Sequence, residues 1–397
     1  MSSTTHSPAT TLASYPVHQL ARQLSATIEG DPSRTITSAV SLGTATISDV
    51  SFLTAAAAEK DIASGCPGAV IVDESHLAVA REQFPDASRL VVEDAQAAFL
   101  EVLALFHPPV VRPQVGISSR ATIGSGFSSG NNTNVYAGAC VGDRVRLGDD
   151  CDIHPGVVIG DDCHIGDQVI IYPGAVLYPG TRIADRVIIH ANAVIGADGF
   201  GYRFTPTDQA PAGAFHKIIH YGHVVLEDDV EIGAGTTIDR AMLDATVIGH
   251  GTKIDDQVMV GHNCQVGPHN AFASQVGIAG STTTGSYVRC GGQVGIADHL
   301  TIGDGASVAA KAAVARDIPA GETQLGYPAG PESQQLRILI AQQRLPELLK
   351  TVKALVQRID RLESELEARD ATPLGESNDA CRTGERTTAA TERPHAA

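Results

Sequence analysis

Aliphatic side chains recur every six residues through the middle of this chain, in two long runs. The first run is Val135, Val141, Leu147, Ile153, Ile159, Ile165, Ile171, Leu177, Ile183, Ile189 and Ile195, and the second is Ile248, Ile254, Val260, Val266, Phe272, Ile278, Thr284, Cys290, Ile296, Ile302, Val308 and Val314. Many of these residues precede a glycine, which adopts the backbone conformations that tight turns require. A fixed short period of this kind indicates a solenoid of stacked coils.

Each six-residue repeat is interpreted as one short strand and a turn, with the aliphatic side chain pointing inward. Three repeats then close one coil, and stacked coils pair their backbones at about 4.8 Å. The interior is predicted to be a continuous column of Ile and Val, in which each coil contacts mainly its neighbours. A sandwich or barrel of short strands would space them irregularly, so the strict register disfavours it. The period leaves the handedness open, although parallel crossovers are normally right-handed.

The chain divides into four predicted segments. They are a small α/β domain at 1–110, the solenoid at 111–330, a helical coiled-coil segment at 331–370 and a disordered polar tail at 371–397. In the first segment, the apolar runs at 68–72 and 90–92 are predicted strands. A helix capped by Asp94 is expected to end before Pro108, because proline disfavours helix in the residue that precedes it.

Two departures from the six-residue period also carry information. The period fails between Gly199 and His223, where we predict a protruding loop of the kind that often carries function. Beyond Gly330 the spacing changes to alternating steps of three and four, typical of a coiled-coil seam. The seam residues are Leu345, Leu348, Val352, Leu355, Ile359, Leu362 and Leu366.

Composition and charge exclude several classes of protein. A net charge of −17 disfavours nucleic acid as a partner, because phosphate binding needs a basic surface. No apolar run approaches the roughly 18 residues of a membrane span, and the first fifteen residues lack the basic start and apolar stretch of a signal peptide. We therefore expect a cytoplasmic protein. The seven cysteines show no CxxC spacing and are predicted to be reduced packing residues.

Two histidines are candidates for catalysis. His262 follows Val260 by two residues, His299 follows Ile296 by three, and these two inward residues are two coils apart. Both histidines are therefore predicted at the same corner of the solenoid, where one can act as a general base and the other can position a substrate. Surface histidines are common, however, and His154 and His190 are also two coils apart without implying catalysis.

Three motifs carry a family resemblance: the stretches 195–202 (IGADGFGY), 231–240 (EIGAGTTIDR) and 261–263 (GHN). Together they resemble UDP-3-O-(3-hydroxyacyl)glucosamine N-acyltransferase of lipid A synthesis, a hexapeptide-repeat acyltransferase. The resemblance extends over all but the two polar ends of the chain. It implies a mainly β fold, with a left-handed parallel β-helix between an N-terminal uridine-binding α/β domain and C-terminal helices.

The resemblance also implies a reaction and a set of site residues. Acyl carrier protein would deliver a 3-hydroxyacyl thioester on its phosphopantetheine, with no other cofactor, and the acyl group would pass to the 2-amino group of UDP-3-O-acylglucosamine. His262 matches the catalytic base, His299 its helper and Gly280 the backbone donor to the oxyanion. The implied substrate-binding residues are Phe52, Asp198, Phe200, Tyr202 and Asn263. The family forms homotrimers with sites between neighbouring subunits, which suits a C-terminal heptad seam.

The same C-terminal helix carries an excess of basic residues. Between residues 336 and 361 these are Arg337, Arg344, Lys350, Lys353, Arg358 and Arg361, against Glu347 and Asp360. Arg344, Lys350 and Lys353 are the predicted dock for the acyl carrier protein. An ordinary solvated helix face explains the same charges equally well.

Alternatives remain open where the chain departs from the family pattern. The family has Asn and Tyr three and six places after the Phe that matches Phe52, whereas this chain has Ala55 and Ala58. It also has Lys-Ile-Pro-Gln where this chain has Lys217-Ile218-Ile219-His220. An acyltransferase acting on another nucleotide amino sugar is one alternative. A non-catalytic scaffold that binds acyl carrier protein is the other.

A zinc site is a further hypothesis for His262 and His299. Hexapeptide-repeat carbonic anhydrases bind zinc through histidines of neighbouring chains, and His262 with His299 has a superficial likeness to such a site. The close three-residue histidine pairing of those enzymes is missing here. We therefore expect no metal.

Overall fold

The computed structural model describes residues 13–54, 65–108, 112–326 and 329–370, without the side chains of 368–370. It separates into two compact units, which meet in sequence between Gln114 and Val115. Ala55, Ala58 and the tail at 371–397, on which three of the sequence expectations fall, lie outside the described residues.

The N-terminal unit is a small α/β fold. Its five-stranded sheet has the order Thr27–Glu29, Ser88–Val92, Ala69–Asp73, Asp49–Phe52 and Ser38–Ala39, and a separate pair joins Tyr15–Pro16 to Thr35–Ile36. Its helices are α1 (Val17–Leu24), α2 (Leu77–Gln83) and α3 (Ala95–Phe106), with 3₁₀ turns at Leu42–Thr44 and Glu74–His76. Asp94 caps α3 as predicted, since its Oδ1 accepts hydrogen bonds from the backbone N–H groups of Gln96 and Ala97.

The second unit contains a parallel solenoid with three faces, numbered in the order in which the chain visits them. Face 1 contains Thr122–Ile123, Cys140–Val141, Val158–Ile159, Val176–Leu177, Val194–Asp198, Thr237–Arg240, Met259–Val260, Gly277–Ile278, Gly295–Ile296 and Ala313–Val314. Face 2 contains Ser128–Ser129, Arg146–Leu147, His164–Ile165, Arg182–Ile183, His223–Leu226, Ala245–Ile248, Gln265–Val266, Thr283–Thr284 and Thr301–Ile302. Face 3 contains Asn134–Val135, Asp152–Ile153, Ile170–Ile171, Ile188–Ile189, Glu231–Ile232, Lys253–Ile254, Ala271–Phe272, Arg289–Cys290, Ser307–Val308 and Thr323–Gln324. The predicted hexapeptide-repeat parallel β-helix is confirmed.

The core contains two buried positions per repeat, one more than predicted. Around Ile159, the side chain of Val158 is 43% exposed, whereas Val157 and Ile159 are buried. The extra position, two residues before the aliphatic one, holds small side chains such as Cys151, Cys163 and Cys264. Packing was therefore the right expectation for these cysteines and for Cys290, whereas Cys66 and Cys140 are exposed and do not pack in the core.

Corners between faces are stabilised by side chains from the adjacent coil. Many corner residues have positive φ without being glycine, for example Asn132, at φ 54°. Aspartates two residues after the inward position accept hydrogen bonds from the preceding coil: Ser125 N–H donates to Asp143 Oδ1 (2.7 Å), and Asp143 N–H donates to Asp161 Oδ1 (2.9 Å). This ladder satisfies backbone groups that a turn would otherwise leave unpaired.

Two insertions interrupt the solenoid, and both follow a strand of face 1. Residues paired between adjacent coils are normally 18 positions apart in the sequence. Ile195 and its partner Ile238 are further apart than this, and so are Ile238 and its partner Val260. The first insertion was predicted to be a loop, and that prediction was wrong about its secondary structure. The residues make an antiparallel hairpin of Tyr202–Thr207 and Ala210–Lys217, whose irregular side-chain pattern gave no strand period.

Two helices end the described chain: α4 (Glu332–Gln343) and α5 (Leu345–Asp370). The predicted seam residues lie on α5, and all of them are exposed in the single chain. Within the described residues, no helix combines the length and hydropathy needed to cross a membrane.

Candidate active site

The predicted histidines lie at one corner of the solenoid, here called the first corner, which is made by the residues that follow each face 1 strand. Val260 pairs with Ile278 and Ile278 with Ile296, so His262 and His299 are separated by two coils, as predicted. Both line one cavity of about 780 Å³. Gly280, on the coil between them, and Phe200, from the hairpin insertion, line the same cavity.

The orientation of His262 is set by Asn263. The Asn263 amide is fixed on both sides, because its Oδ1 accepts from Met242 N–H (2.9 Å) and its Nδ2 donates to the Leu243 carbonyl (3.1 Å). The amide oxygen therefore lies 3.1 Å from His262 Nδ1 as an acceptor, so Nδ1 carries the hydrogen. In the neutral ring, Nε2 then has the free lone pair that a general base needs.

Gly280 brings its backbone against this free nitrogen. A Cβ built at Gly280 would lie 2.8 Å from His262 Nε2, so only glycine allows this approach. In the corner ladder, the equivalent N–H of Ser125 donates to Asp143. The Gly280 N–H, by contrast, has no acceptor among the residues that the structure describes. A backbone donor is thus available beside the base.

His299 occupies a more open part of the cavity. Its side chain is 74% exposed, and Nε2 lies 3.9 Å from Asp298 Oδ2, too long for a hydrogen bond. Its backbone N–H donates to the Gly280 carbonyl at 3.1 Å. His299 therefore stabilises the Gly280 turn through its backbone, while its side chain remains free to meet a ligand.

A buried carboxyl group, Asp239, also lines the cavity and was missed from the sequence. It immediately follows the inward residue Ile238, one coil before His262. Asp239 is 5% exposed, and burial, with a further contribution from the charge of Asp198, raises its pKa to about 7. Its position in the first corner was visible in the repeat register, but the register alone could not predict its burial.

The hairpin carries three further predicted residues. Phe200 is 88% exposed and contacts the Tyr202 ring edge to face at 5.1 Å. Asp198, at the base of the hairpin, pairs with Lys217 Nζ at 2.5 Å, and this hydrogen bond lowers the pKa of its carboxyl group. Only Phe200 lines the cavity, and Tyr202 and Asp198 do not. Asp198 thus holds the two ends of the insertion together, through the pair with Lys217.

A second histidine, His220, was missed as a site residue. It follows the hairpin, is 4% exposed, and its ring lies 5.3 Å from the His262 ring at 63°. Because His220 falls inside the insertion, counting repeats could not place it. The altered Lys217-Ile218-Ile219-His220 stretch was the available signal.

The remaining predicted residues lie elsewhere. In the N-terminal unit, the Phe52 ring stacks on Phe99, with centroids 4.5 Å apart. Arg344, at the end of α4, and Lys350 and Lys353 on α5 are exposed. No group of three or more His, Cys, Asp or Glu side chains suited to a metal occurs among the described residues. A larger cavity of about 920 Å³ on face 3 contains none of the predicted site residues.

Comparison with curated proteins points to one family. The family profile "Bacterial transferase hexapeptide (six repeats)" matches residues 162–197. The UDP-3-O-acylglucosamine N-acyltransferase of Anaeromyxobacter sp. (strain K) is 37% identical over 357 residues, covering 89% of this chain and 98% of that protein. Its counterpart in Anaeromyxobacter dehalogenans (strain 2CP-1) is 36% identical over 355 residues, with the same two coverages.

A solved structure of UDP-N-acetylglucosamine acyltransferase from Campylobacter jejuni is 20% identical, with a TM-score of 0.39, over 51% of this chain and 68% of that one. The N-acyltransferase relatives match 89% of this chain and 98% of their own length at more than a third identity. The chain is an acyltransferase and belongs to the UDP-3-O-acylglucosamine N-acyltransferase family.

Proposed function

We propose that this protein transfers a 3-hydroxyacyl group from acyl carrier protein to the 2-amino group of UDP-3-O-acylglucosamine, a cytoplasmic step of lipid A synthesis. The observation that carries the proposal is the paired geometry at the first corner. His262 donates from Nδ1 to Asn263, its Nε2 lies close to the Gly280 backbone, and both residues line one cavity. A base next to a backbone donor is the arrangement that acyl transfer needs.

The proposed mechanism has one nucleophilic step. The acceptor amine attacks the thioester carbon, and His262 Nε2 removes a proton from the nitrogen as the C–N bond forms. The resulting imidazolium is stabilised by the Asn263 carbonyl at Nδ1. When the tetrahedral intermediate collapses, the C–S bond breaks and the phosphopantetheine thiolate takes the proton from His262. No covalent enzyme intermediate is required.

The Gly280 N–H is proposed to donate to the oxyanion of that intermediate. A donor already in place is worth about 2.7 to 4 kcal/mol in other acyl-transfer enzymes, because it needs no reorganisation as charge develops. The absence of a protein acceptor among the described residues supports this role, since the N–H does not have to exchange partners. His299, exposed on the next coil, is proposed to position the donor or acceptor.

Of the other predicted residues, Phe200, Tyr202 and Phe52 are proposed to bind substrate. Phe200 and Tyr202 present apolar surface next to the cavity, which suits an acyl chain. Phe52 is proposed to contact the uracil, with the ring face that is not stacked on Phe99. Asp198 and Asn263 act indirectly, by fixing the hairpin and the base.

Partners are proposed from the C-terminal helices. The exposed apolar seam of α5 suits a homotrimer, in which three helices bury it, and the sites are proposed to lie between neighbouring subunits. The exposed basic side chains of Arg344, Lys350 and Lys353 suit an acidic carrier protein.

The first test is acyl transfer from 3-hydroxyacyl carrier protein to UDP-3-O-acylglucosamine, with wild type and His262→Ala. We expect turnover by wild type and a loss of about 10²-fold or more in His262→Ala, because the amine keeps its proton. His164→Ala is the matched control, since His164 is an exposed outward residue of face 2, away from the cavity. Sedimentation of each protein checks the trimer and the fold.

Each outcome separates the alternatives. An equal loss in both histidine variants would contradict the base assignment. If wild type is inactive on this acceptor but acylates another nucleotide amino sugar, the substitutions after Phe52 become the explanation. Binding of carrier protein without turnover of any acceptor would support the scaffold.

A further inference from the structure

His220 forms a wall of the candidate site without lining its cavity. Its ring packs against His262 with centroids 5.3 Å apart and ring planes at 63°, and only 4% of His220 is exposed. Edge-to-face contacts of this kind prefer a defined mutual orientation. The side of His262 away from the cavity is therefore bounded by a second ring.

His220 is itself fixed from two directions. Its Nδ1 lies 3.1 Å from the Ile218 carbonyl, which can only accept, so Nδ1 carries a hydrogen and donates it. A Cβ built at Gly201 would lie 2.8 Å from His220 Cε1, so the backbone of the hairpin is in close contact with the ring. Because the ring is buried and hydrogen-bonded, it has little freedom to move away from His262.

The backbone of Gly199 closes the remaining space between the rings. A Cβ there would lie 2.7 Å from His262 Cβ and Cδ2 and 2.9 Å from His220 Nε2. The hairpin base thus lies against the Cβ and Cδ2 of His262, and the Gly280 backbone lies against the Nε2, Cε1 and Cδ2 of the same ring. The hydrogen bond at Nδ1 fixes one point of the ring, and contacts along its sides limit rotation about the side-chain bonds.

We propose that His220 is a positioning residue, whose ring holds the His262 imidazole in the orientation that directs Nε2 towards the Gly280 N–H. The inference rests on the proposed function for its catalytic consequence. It makes the hairpin insertion part of the catalytic apparatus, because the hairpin carries the wall against which the base is held. The contribution of His220 is its ring shape, and neither of its nitrogens takes part in proton transfer.

Two substitutions separate ring shape from hydrogen bonding. His220→Phe keeps a ring against His262 and loses the donor to Ile218, whereas His220→Asn keeps a donor near the Nδ1 position and loses the ring. We expect His220→Phe to retain kcat within about fivefold. His220→Asn should lose about tenfold or more in kcat, with KM for the acceptor within about twofold, because misplacing a catalytic group affects the chemical step.

Thermal unfolding of each variant checks the fold, and His220→Gln replaces His220→Asn if the latter does not fold. An equal loss in His220→Phe and His220→Asn would overturn the proposal, since a ring nitrogen would then be required. Wild-type activity in both variants would overturn it as well. Crystal structures of the two variants give a readout independent of turnover: His262 should keep its rotamer in His220→Phe and adopt others in His220→Asn. An inactive wild type would therefore refute the proposed function and leave the positioning inference testable.

Discussion

The chemistry available to His262 is decided by residues that do not react. Asn263 fixes which nitrogen carries the hydrogen, and the second insertion fixes Asn263, because Met242 and Leu243 hold its amide. Gly280 brings its backbone close to the free nitrogen. His164 also lies in a six-residue repeat, but its side chain is exposed on face 2, away from these neighbours.

The free energy of unfolding is predicted to depend on pH through Asp239. Burial and the charge of Asp198 raise its pKa from 3.8 to about 7 in the folded protein, so folding favours the protonated carboxyl group. Its contribution to the free energy of unfolding is fully present below about pH 4 and is lost as pH rises through about 7. Asp239→Asn cannot ionise and should lose this dependence.

Urea denaturation of wild type and Asp239→Asn at several pH values measures the effect as a difference. The free energy of unfolding of wild type, minus that of Asp239→Asn, should fall between about pH 4 and pH 7. Asp298→Asn, at a 72% exposed side chain, is the control. A wild-type minus Asp239→Asn difference that stays constant over this range would refute the assignment.

Residues on the repeat could be located from the sequence, and residues in the insertions could not. In a solenoid, the place of a residue follows from its number, so His262 and His299 were assigned to one corner by counting, whereas Gly280 was assigned from the family resemblance. His220 lies where counting stops, and its place depends on how the hairpin folds back. The burial of Asp239 is likewise a property of the assembled corner.

At the scale of elements, the strands are too short to be stable alone. Most strands of the solenoid are two residues long, with one side chain inward and one outward, so each strand depends on the coils above and below it. The sequence predicts these strands well, because the inward position has a strict period. The hairpin lacks that period, and it was predicted as a loop.

Substitution of Phe272 tests whether the buried column of side chains stabilises the solenoid. It is the aromatic side chain at an inward position of the repeat and is 2% exposed, so Phe272→Ala should leave a cavity in the column. We expect the free energy of unfolding to fall by about 3 to 5 kcal/mol. Phe215→Ala, at a 72% exposed position on the hairpin, is the matched control and should cost about 1 kcal/mol or less. Urea denaturation measures both, and similar losses would contradict the predicted core.

At the scale of the whole molecule, one basic segment differs from an otherwise acidic chain. The chain has a net charge of −17, yet α5 exposes a basic group of side chains beside its apolar seam. The seam was predicted because heptad spacing is a local signal. Whether the basic face binds a partner depends on a second protein, so sequence alone left it undecided.

Charge reversal tests the proposed dock. Lys350→Glu with Lys353→Glu should raise KM for the acyl carrier protein by about tenfold, with kcat little changed, because long-range attraction mainly speeds encounter. Added salt should weaken carrier binding by wild type and reduce the difference. Arg146→Glu with Arg182→Glu makes the same charge change on face 2, at exposed outward positions. Equal effects of the two pairs on KM would indicate a general charge effect and contradict a dock on α5.

The two insertions enter at one corner and leave the pairing of faces 2 and 3 intact: Ile183 still pairs with Leu226, and Ile189 with Ile232. A gene can therefore lengthen, shorten or exchange this corner by recombination without shifting the inward residues of any later coil. Hairpins from related sequences, grafted between residues 199 and 220, are therefore expected to leave the fold of the solenoid unchanged.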